Sequence, residues 1–403
     1  MSAAPGDAAG TGLPPVPIAR VTFRALRAPA GDGLAMSFAP LRQRSAALVI
    51  LETADGLAGV GESWVNHPPW ALAEREQTIQ QGLAPLLTGQ DARDPRAVHA
   101  RLLRELLPVA RQWGAPGPIW QAISGVDIAL WDLLGRAAGQ PACVLVGGAR
   151  IRERVPVYAS SLGPDAVSEQ AAACRDAGFS TVKLRVGFGR GTDLANLRAA
   201  RQAAGDAVTL FVDANQAWDL DEAIGIAPEL RRHGVTIVEE PIAGDRLEEL
   251  EEFHRRTGLL VATGENTYGA RALAPYLASP AVAIVQPDVS KTGGLTEAFE
   301  VCRLAAGTGT AVWPHMYGGA IGFAATLQLA ACGPDVGQVE YDVRANPLRD
   351  PLLIDAPAPA GGVIGLPGGP GLGVELAAPL SALPVGEEAG EPGERARRRE
   401  GPR

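Results

Sequence analysis

Short runs of β-branched and apolar residues recur along the second half of the chain, and they constrain its fold more than any other feature. From residue 155, eight runs start roughly 25 residues apart, with amphipathic helical sequence between most of them. This is the spacing of βα units, and eight such parallel strands close a barrel. An open doubly wound sheet is the alternative, but no glycine-rich dinucleotide fingerprint follows any run. The runs are VPVYAS, TVKLRV, VTLFVDAN, VTIVEEP, LLVATGEN, AVAIVQPD, TAVWPHM and VGQVEYD.

The first third of the chain has a different pattern. Residues 18–63 alternate apolar and polar positions around the turn sequence TADGLAGVGE, which predicts an antiparallel sheet. Helical periodicity follows over about 70–88, 95–108 and 118–139. We therefore expect a disordered N-terminus, an α+β domain, a barrel, a C-terminal segment that packs on the α+β domain, and a disordered tail. The expected boundaries are 1–17, 18–140, 141–343, 344–383 and 384–403.

Charge and cysteine usage limit the partners and the compartment. The net charge is -9 and no basic stripe is present, so a nucleic-acid binder is not expected. No apolar run is long enough to span a membrane, and residues 1–17 lack a signal peptide. The four cysteines form no C-x-x-C pair, which is typical of reduced thiols. We expect a cytoplasmic protein that acts on a small molecule.

Polar or ionisable residues stand at the carboxyl end of seven consecutive runs. In a parallel barrel these ends share one mouth, where chemistry takes place. Solvated strand ends also carry charges, but seven in succession favour a functional site. The residues are Lys183 and Arg185, Asp213 and Asn215, Glu239 and Glu240, Glu265, Asp288, His315, and Glu340.

Two groups of these residues suggest specific chemistry. Asp213, Glu239 and Glu265 end successive runs, and three carboxylates this close repel one another unless a hard cation such as Mg²⁺ neutralises them. The alternative is three independent solvated acids. Asp288 and His315 end the next two runs, where the carboxylate can hold the imidazole as a general acid/base dyad.

Lys183 and Lys291 are the only lysines among 36 basic residues. A lysine is a compact charge that can lose its proton, whereas a guanidinium stays charged. Each of these two positions therefore indicates a specific use of lysine, unless the lysine is there by chance. Residues two apart in a strand face the same side, so Lys183 and Arg185 should both point into the barrel.

The chain resembles the enolase superfamily, and within it the mandelate racemase-like subgroup, over residues from about 18 to 380. GVDIALWDLLGRAAGQPACVLVGG, VKLRVG, VDANQAWD, VEEP, TGEN, PDVSKTGG and PHMYGG occur in the fitting order. The resemblance implies an α/β fold, a modified TIM barrel (β/α)7β under an α+β capping domain. It also implies homo-oligomers, and Mg²⁺ held by Asp213, Glu239 and Glu265, which stabilises the enediolate formed when a base removes the α-proton of a carboxylate substrate.

The resemblance further implies that Glu340 binds the substrate carboxylate and Asn215 its α-oxygen, with Lys291 as a supporting charge. Muconate-lactonizing relatives carry a lysine where this chain has Asp288, which disfavours cycloisomerisation. The family's usual second lysine is replaced by Arg185, a poor proton acceptor, which disfavours two-base racemisation.

We therefore expect an acid-sugar dehydratase that uses the His315–Asp288 dyad, with Lys183 as a cation near the substrate carboxylate or as a second base. The alternatives are an α-hydroxy-acid racemase or epimerase with Lys183 as second base, and a non-catalytic sugar-acid-binding relative. Specificity should come from loops 28–44 and 61–70, with Trp64, Asn66, His67 and Trp70 as candidate contacts. The alternative for the two tryptophans is apolar packing. His99, His233 and His254 are interpreted as structural, and so is His67 if it makes no substrate contact.

Overall fold

The structure is a computed structural model that describes residues 12–31 and 33–379. The predicted tail, 384–403, and most of the predicted disordered N-terminus lie outside the described residues. No helix in the described parts of the chain is both long and apolar enough to cross a membrane.

The N-terminal domain has an antiparallel sheet of order β1-β4-β5, as the alternating pattern predicts. Helices pack on it, and a six-residue π-helical segment, Thr78–Leu83, separates the first two. A small hairpin of β2 and β3 lies between β1 and β4. The elements are β1 (Arg20–Pro29), β2 (Ala35–Met36), β3 (Ala39–Pro40), β4 (Gln43–Glu52), β5 (Ala58–Ser63), α1 (Ala71–Gln77), α2 (Ala84–Leu87), α3 (Pro95–Trp113) and α4 (Pro116–Ala138).

Strand β5 lies directly against α4 because its glycines leave room for the helix. A Cβ atom on Gly61 would lie 1.9 Å from the Gly125 carbonyl oxygen, and one on Gly59 would lie 2.3 Å from that of Ala129. The sequence AGVGES therefore brings the strand close enough to bury most of α4, whose residues from Gln121 to Gly135 are all buried.

All eight predicted runs form parallel strands of one sheet, in the order β12-β11-β10-β9-β8-β7-β6-β13. A parallel bridge between Val312 and Val336 joins β12 to the segment before β13, so the sheet closes on itself. Helix α5 (Ala142–Gly147) precedes the first strand of the barrel in the chain. The strands are β6 (Arg154–Leu162), β7 (Thr181–Arg185), β8 (Thr209–Asp213), β9 (Ile237–Glu239), β10 (Leu260–Thr263), β11 (Val282–Val285), β12 (Ala311–Val312) and β13 (Val339–Asp342).

Seven helices connect these strands and cover the outside of the barrel, which gives the predicted (β/α)7β arrangement. Val182 and Leu184 of β7 belong to the apolar core, while Lys183 and Arg185 point inward, as strand alternation predicts. The helices are α6 (Val167–Asp176), α7 (Arg190–Ala204), α8 (Leu220–Arg232), α9 (Leu247–Thr257), α10 (Ala270–Leu277), α11 (Gly294–Ala305) and α12 (Ala320–Cys332).

The chain after β13 contacts both domains. A 3₁₀ turn (Asp350–Leu352) is followed by β14 (Val363–Gly365), which pairs antiparallel with β6 of the barrel. Further on, the Leu372 amide donates to Asp132 of α4 at 2.8 Å. The segment therefore fastens the N-terminal domain to the barrel; the exact domain boundaries stay predictions.

Candidate active site

One cavity lies at the carboxyl ends of the barrel strands, beneath two loops of the N-terminal domain. Side chains from five barrel strands and the loops after them form its floor and walls: Lys183, Arg185, Asp213, Asn215, Glu265, His315, Tyr317 and Glu340. The N-terminal domain contributes Met36, Phe38, Trp64 and His67. The structure thus brings most of the predicted site residues to one cavity, and the remaining two, Glu239 and Asp288, contact residues that line it.

The predicted metal ligands stand on neighbouring strands. The strand register sets Arg185 beside Asp213 and Asp213 beside Glu239, and Glu265 follows β10. All three carboxylates are buried, and burial raises the pKa of Asp213 and, more strongly, of Glu239, with each raised further by a neighbouring carboxylate. Among residues 12–31 and 33–379, no three His, Cys, Asp or Glu side chains are gathered closely enough to hold a metal ion as they stand.

The chemistry of this donor set nevertheless fits a divalent cation. Five buried carboxylates lie at the mouth, Asp213, Glu239, Glu265, Asp288 and Glu340, against three buried permanent cations, Lys183, Arg185 and Lys291, while Glu240 lines a different cavity. Within the described structure, the buried Asn215 Oδ1 has no hydrogen-bond partner, although its amide nitrogen donates to Asp213 at 3.1 Å. An excess of buried negative charge with oxygen donors is the environment in which Mg²⁺ binds.

Lys183 lies among the carboxylates. Its Nζ is 2.8 Å from Glu239 Oε1, 2.9 Å from Glu340 Oε1 and 3.5 Å from Asp213 Oδ2. Burial alone would lower the pKa of Lys183, but Glu239 and Glu340 outweigh it and hold the pKa well above its usual value. As it stands, Lys183 is protonated, and a cation bound by Asp213 and Glu239 would weaken the interactions that raise its pKa.

His315 and Asp288 form the predicted dyad. His315 Nδ1 donates to Asp288 Oδ2 at 2.6 Å, and the Ser290 amide and hydroxyl hold the other oxygen of Asp288. The Nε2 atom faces the cavity, 3.0 Å from Glu265 Oε2. Burial lowers the pKa of His315, but Glu265 and Glu340 raise it to about 9. Any positive charge paired with Glu265 would therefore favour the neutral imidazole that a base requires.

Glu340 and Lys291 complete the charged floor. Glu340 accepts from Ser160 Oγ at 2.5 Å and from the Met316 amide at 2.9 Å. Burial opposes ionisation, yet Lys183 and His315 lower the pKa of Glu340 to about 2, so it is a carboxylate. Lys291 donates to Asn266 at 2.7 Å, and its Nζ lies 4.5 Å from the centre of the Trp64 ring.

Arg185 is held by groups from outside its strand. Its Nη1 donates to the Ala35 carbonyl at 3.0 Å, and its guanidinium carbon lies 4.9 Å from the centre of the Tyr317 ring. Arg44 approaches the same ring at 5.2 Å and forms a buried ion pair with Asp342 at 2.6 Å. These contacts connect the N-terminal domain to the barrel at the edge of the cavity.

The four candidate loop residues have different positions. Trp64 and His67 line the cavity, and the buried His67 Nε2 has no partner in the described parts of the chain. Asn66 instead donates to the Tyr317 carbonyl at 2.6 Å and so holds that loop, while Trp70 is 71% exposed and lies away from the cavity. His99, His233 and His254 do not line it either.

Sequence reasoning missed two residues that shape the site. Tyr317 lines the cavity. It stands two residues after His315 in an extended segment, and residues two apart in such a segment face the same side, so its position could have been predicted. Glu62 of β5 accepts from the Gly319 and Gly322 amides at 2.6 and 2.9 Å, which anchors the first turn of α12 after the His315 loop. A glutamate in a buried strand is a weak signal, because its partners are 257 and 260 residues away.

Comparison with family models covers most of the chain. Residues 19–147 match the mandelate racemase / muconate lactonizing enzyme N-terminal domain, and residues 166–379 match the enolase C-terminal domain-like model. A solved mandelate racemase/muconate lactonizing enzyme from Bordetella bronchiseptica is 36% identical, with a TM-score of 0.81 over 92% of this chain and 99% of that one.

Two curated relatives carry the names of enzymes. D-galactarolactone cycloisomerase of Agrobacterium fabrum is 34% identical over 83% of this chain and 89% of its own length. L-talarate/galactarate dehydratase of Salmonella typhimurium is 30% identical, covering 83% and 82% respectively. The conserved fold, the paired domains and these identities lead to one conclusion: the chain belongs to the mandelate racemase/muconate lactonizing enzyme family of the enolase superfamily.

Proposed function

We propose that the protein is a Mg²⁺-dependent dehydratase of an acid sugar, an aldonate or aldarate, which it converts to a 2-keto-3-deoxy acid. The observation that carries the proposal is the His315–Asp288 dyad, in which the His315 Nε2 atom faces a cavity lined by buried carboxylates. Relatives named L-talarate/galactarate dehydratase and arabinonate dehydratase support the same reaction class.

The dyad performs the first step. Neutral His315 accepts the α-proton of the substrate at Nε2, and Asp288 stabilises the imidazolium that results. Asp213, Glu239 and Glu265 would hold the cation. When bound, a divalent cation neutralises the excess carboxylate charge and stabilises the negative charge that develops on the substrate carboxylate.

The remaining residues bind and orient the substrate. Lys183 and Arg185 supply fixed positive charge on one side of the cavity, and Asn215 offers its amide group to the α-oxygen. Glu340 is ionised as it stands, so it would have to take up a proton before it could donate to the substrate carboxylate. The racemase alternative required Lys183 as a second base. Its contacts with Glu239 and Glu340 favour the protonated amine, which counts against Lys183 as that base.

The proposal is tested by a screen of mono- and diacid sugars with the purified protein and Mg²⁺. We expect at least one acid to yield a 2-keto-3-deoxy acid, detected with semicarbazide and by proton NMR. If every acid is recovered unchanged although several bind, the protein is the non-catalytic relative instead.

A cycloisomerase is the second candidate, favoured by the 34% identity to D-galactarolactone cycloisomerase. The chain has Asp288 where lactonizing relatives have a lysine, but the dyad can remove an α-proton beside a ring oxygen as readily as beside a hydroxyl. Mass spectrometry separates the two reactions, because dehydration loses water and isomerisation conserves mass.

A further inference from the structure

His315 and Tyr317 leave the same loop but turn toward different strands. His315 contacts Asp288 after β11 and Glu265 after β10, and its Nε2 also lies 3.8 Å from Glu340 of β13. Tyr317 instead lies against Arg185 of β7, with the guanidinium carbon 4.9 Å from the ring centre. Two side chains that follow β12 therefore reach different parts of the mouth.

The strand order shows that these parts face each other. In the closed ring of eight strands, β7 and β11 are four positions apart in either direction. Strands four apart in an eight-stranded barrel lie on opposite sides of its axis. A substrate in the cavity is consequently flanked by the His315 imidazole on one side and by the Tyr317 ring with Arg185 on the other.

The Tyr317 hydroxyl is the chemically available group on that second side. The residue is 4% exposed and lines the cavity, and within the described structure its hydroxyl makes no hydrogen bond of good geometry, although Arg185 interacts with it. Arg185 can only donate, so the O–H proton of Tyr317 has no acceptor among the described residues, and a ligand in the cavity can supply one. Arg185 itself cannot exchange protons at neutral pH, since a guanidinium stays charged.

The position of the ring is fixed from three directions. Asn66 donates to the Tyr317 carbonyl at 2.6 Å, Arg44 lies 5.2 Å from the ring centre, and Arg185 lies over the ring as described. Two guanidinium groups therefore lie over the ring of Tyr317, and they hold it on this side of the cavity.

From this arrangement we propose that Tyr317 is the catalytic acid for the oxygen that leaves carbon 3, on the side opposite His315. The inference rests on the proposed dehydratase function. His315 takes the α-proton, the electron pair of the enediolate forms the C2–C3 double bond, and the C3–O bond breaks. The departing oxygen receives the Tyr317 proton and leaves as water. The phenolate is held by Arg185 and Arg44 until solvent returns the proton, and elimination is anti.

The test measures two steps in Tyr317→Phe, which keeps the ring and its contacts with both arginines. Removing a general acid typically costs on the order of 10²–10⁴-fold. We expect keto-acid formation from the best substrate to fall by about that factor, while His315-dependent exchange of the α-proton with deuterated water stays within about threefold of wild type. Tyr341→Phe, a tyrosine outside the cavity, should leave both rates unchanged.

A substrate analogue distinguishes proton donation from a structural role. Fluoride needs far less protonation to leave than hydroxide, so a 3-deoxy-3-fluoro analogue should be eliminated by wild type and Tyr317→Phe at similar rates. The proposal is overturned if Tyr317→Phe retains normal keto-acid formation, if exchange and elimination fall together, or if the analogue is slowed as much as the natural acid. A wild-type protein that dehydrates no acid sugar would instead refute the proposed function.

Discussion

Lys183 is a buried cation in contact with three carboxylates. Its Nζ lies within 3.5 Å of oxygens from Asp213, Glu239 and Glu340, and all four side chains are buried. Removing one partner from a buried ionic group leaves uncompensated charge, which is more costly than losing a surface ion pair. This explains why arginine, with its larger planar head group, does not replace lysine at this position.

Replacing Lys183 with methionine should therefore destabilise the protein. We expect the free energy of unfolding to fall by about 3–5 kcal/mol in the absence of divalent cations, because three carboxylates lose their shared cation. Urea denaturation checks this, with Arg198→Met on the exposed side of α7 as the control. An unchanged unfolding midpoint for Lys183→Met would show that the carboxylates do not depend on this cation.

The role of the His315–Asp288 dyad can be tested by replacing the His315 imidazole. His315→Asn retains hydrogen-bonding capacity toward Asp288 but removes the nitrogen that faces the cavity, so α-proton exchange in deuterated water should decrease by about 10²-fold or more. Proton NMR follows the exchange, and His254→Asn, whose imidazole contacts the Leu259 carbonyl outside the cavity, is the control. Exchange at the wild-type rate would assign the base to another residue.

At the scale of elements, the contact between β5 and α4 depends on two glycines. A methyl group on Gly61 cannot fit 1.9 Å from the Gly125 carbonyl, so Gly61→Ala must separate strand from helix. We expect a loss of several kcal/mol, above the usual 1–3 kcal/mol of overpacking because the obstacle is backbone. Gly82→Ala is the matched control, since nothing lies within 4 Å of its added Cβ. Thermal melts that give equal midpoints for both variants would contradict this packing.

Glu62 joins β5 to the first turn of α12 and gives stability an unusual pH dependence. Burial raises its pKa from 4.5 to about 7, while the Gly319 and Gly322 amides partly oppose the shift. Between these two values the folded protein binds a proton that the unfolded chain has lost. The contribution of Glu62 to stability is therefore full below about pH 4.5 and is lost as the pH rises to about 7.

Glu62→Gln removes this titration. Between about pH 5 and pH 7.5, the free energy of unfolding of wild type should decline relative to that of the variant by on the order of 2–3 kcal/mol. Urea denaturation at both pH values measures the difference, and Glu169→Gln at an exposed position of α6 serves as the control. A constant difference between wild type and Glu62→Gln across this range would refute the assignment.

At the scale of the whole molecule, the excess carboxylate charge at the mouth connects metal binding to stability. A ligand that binds only the folded state stabilises it by about 2.7 kcal/mol at 100 times its Kd. We expect MgCl₂ to raise the melting temperature and chelation by EDTA to abolish activity, with Glu265→Gln losing most of the thermal shift. Sodium chloride at equal ionic strength is the control. A wild-type melting temperature that does not change when divalent cations are added would contradict the metal site. Light scattering would test the predicted homo-oligomer.

Much of this architecture could be predicted from local patterns. The eight runs around residues such as Val182 and Val238 are apolar because both faces of a parallel strand are buried, and their polar last residues lie at the mouth because parallel strands end on one side. Alternation alone placed Lys183 and Arg185 inside the barrel. These predictions depend only on neighbours within a few residues, which is why the linear sequence contains them.

The partners within the site were decided by the tertiary structure. Lys183 bridges Glu239, which lies 56 residues later in the chain, and Glu340, which lies on the last barrel strand. No local motif predicts these contacts, because they form only when the ring of strands closes. The turn of Tyr317 toward Arg185 and the anchoring of α12 by Glu62 likewise require two domains in contact. The sequence alone determined which residues reach the mouth of the barrel, because strand periodicity is local. Which of these residues touch was determined only by the folded chain, because those contacts depend on the curvature of the sheet and on loops far apart in the chain.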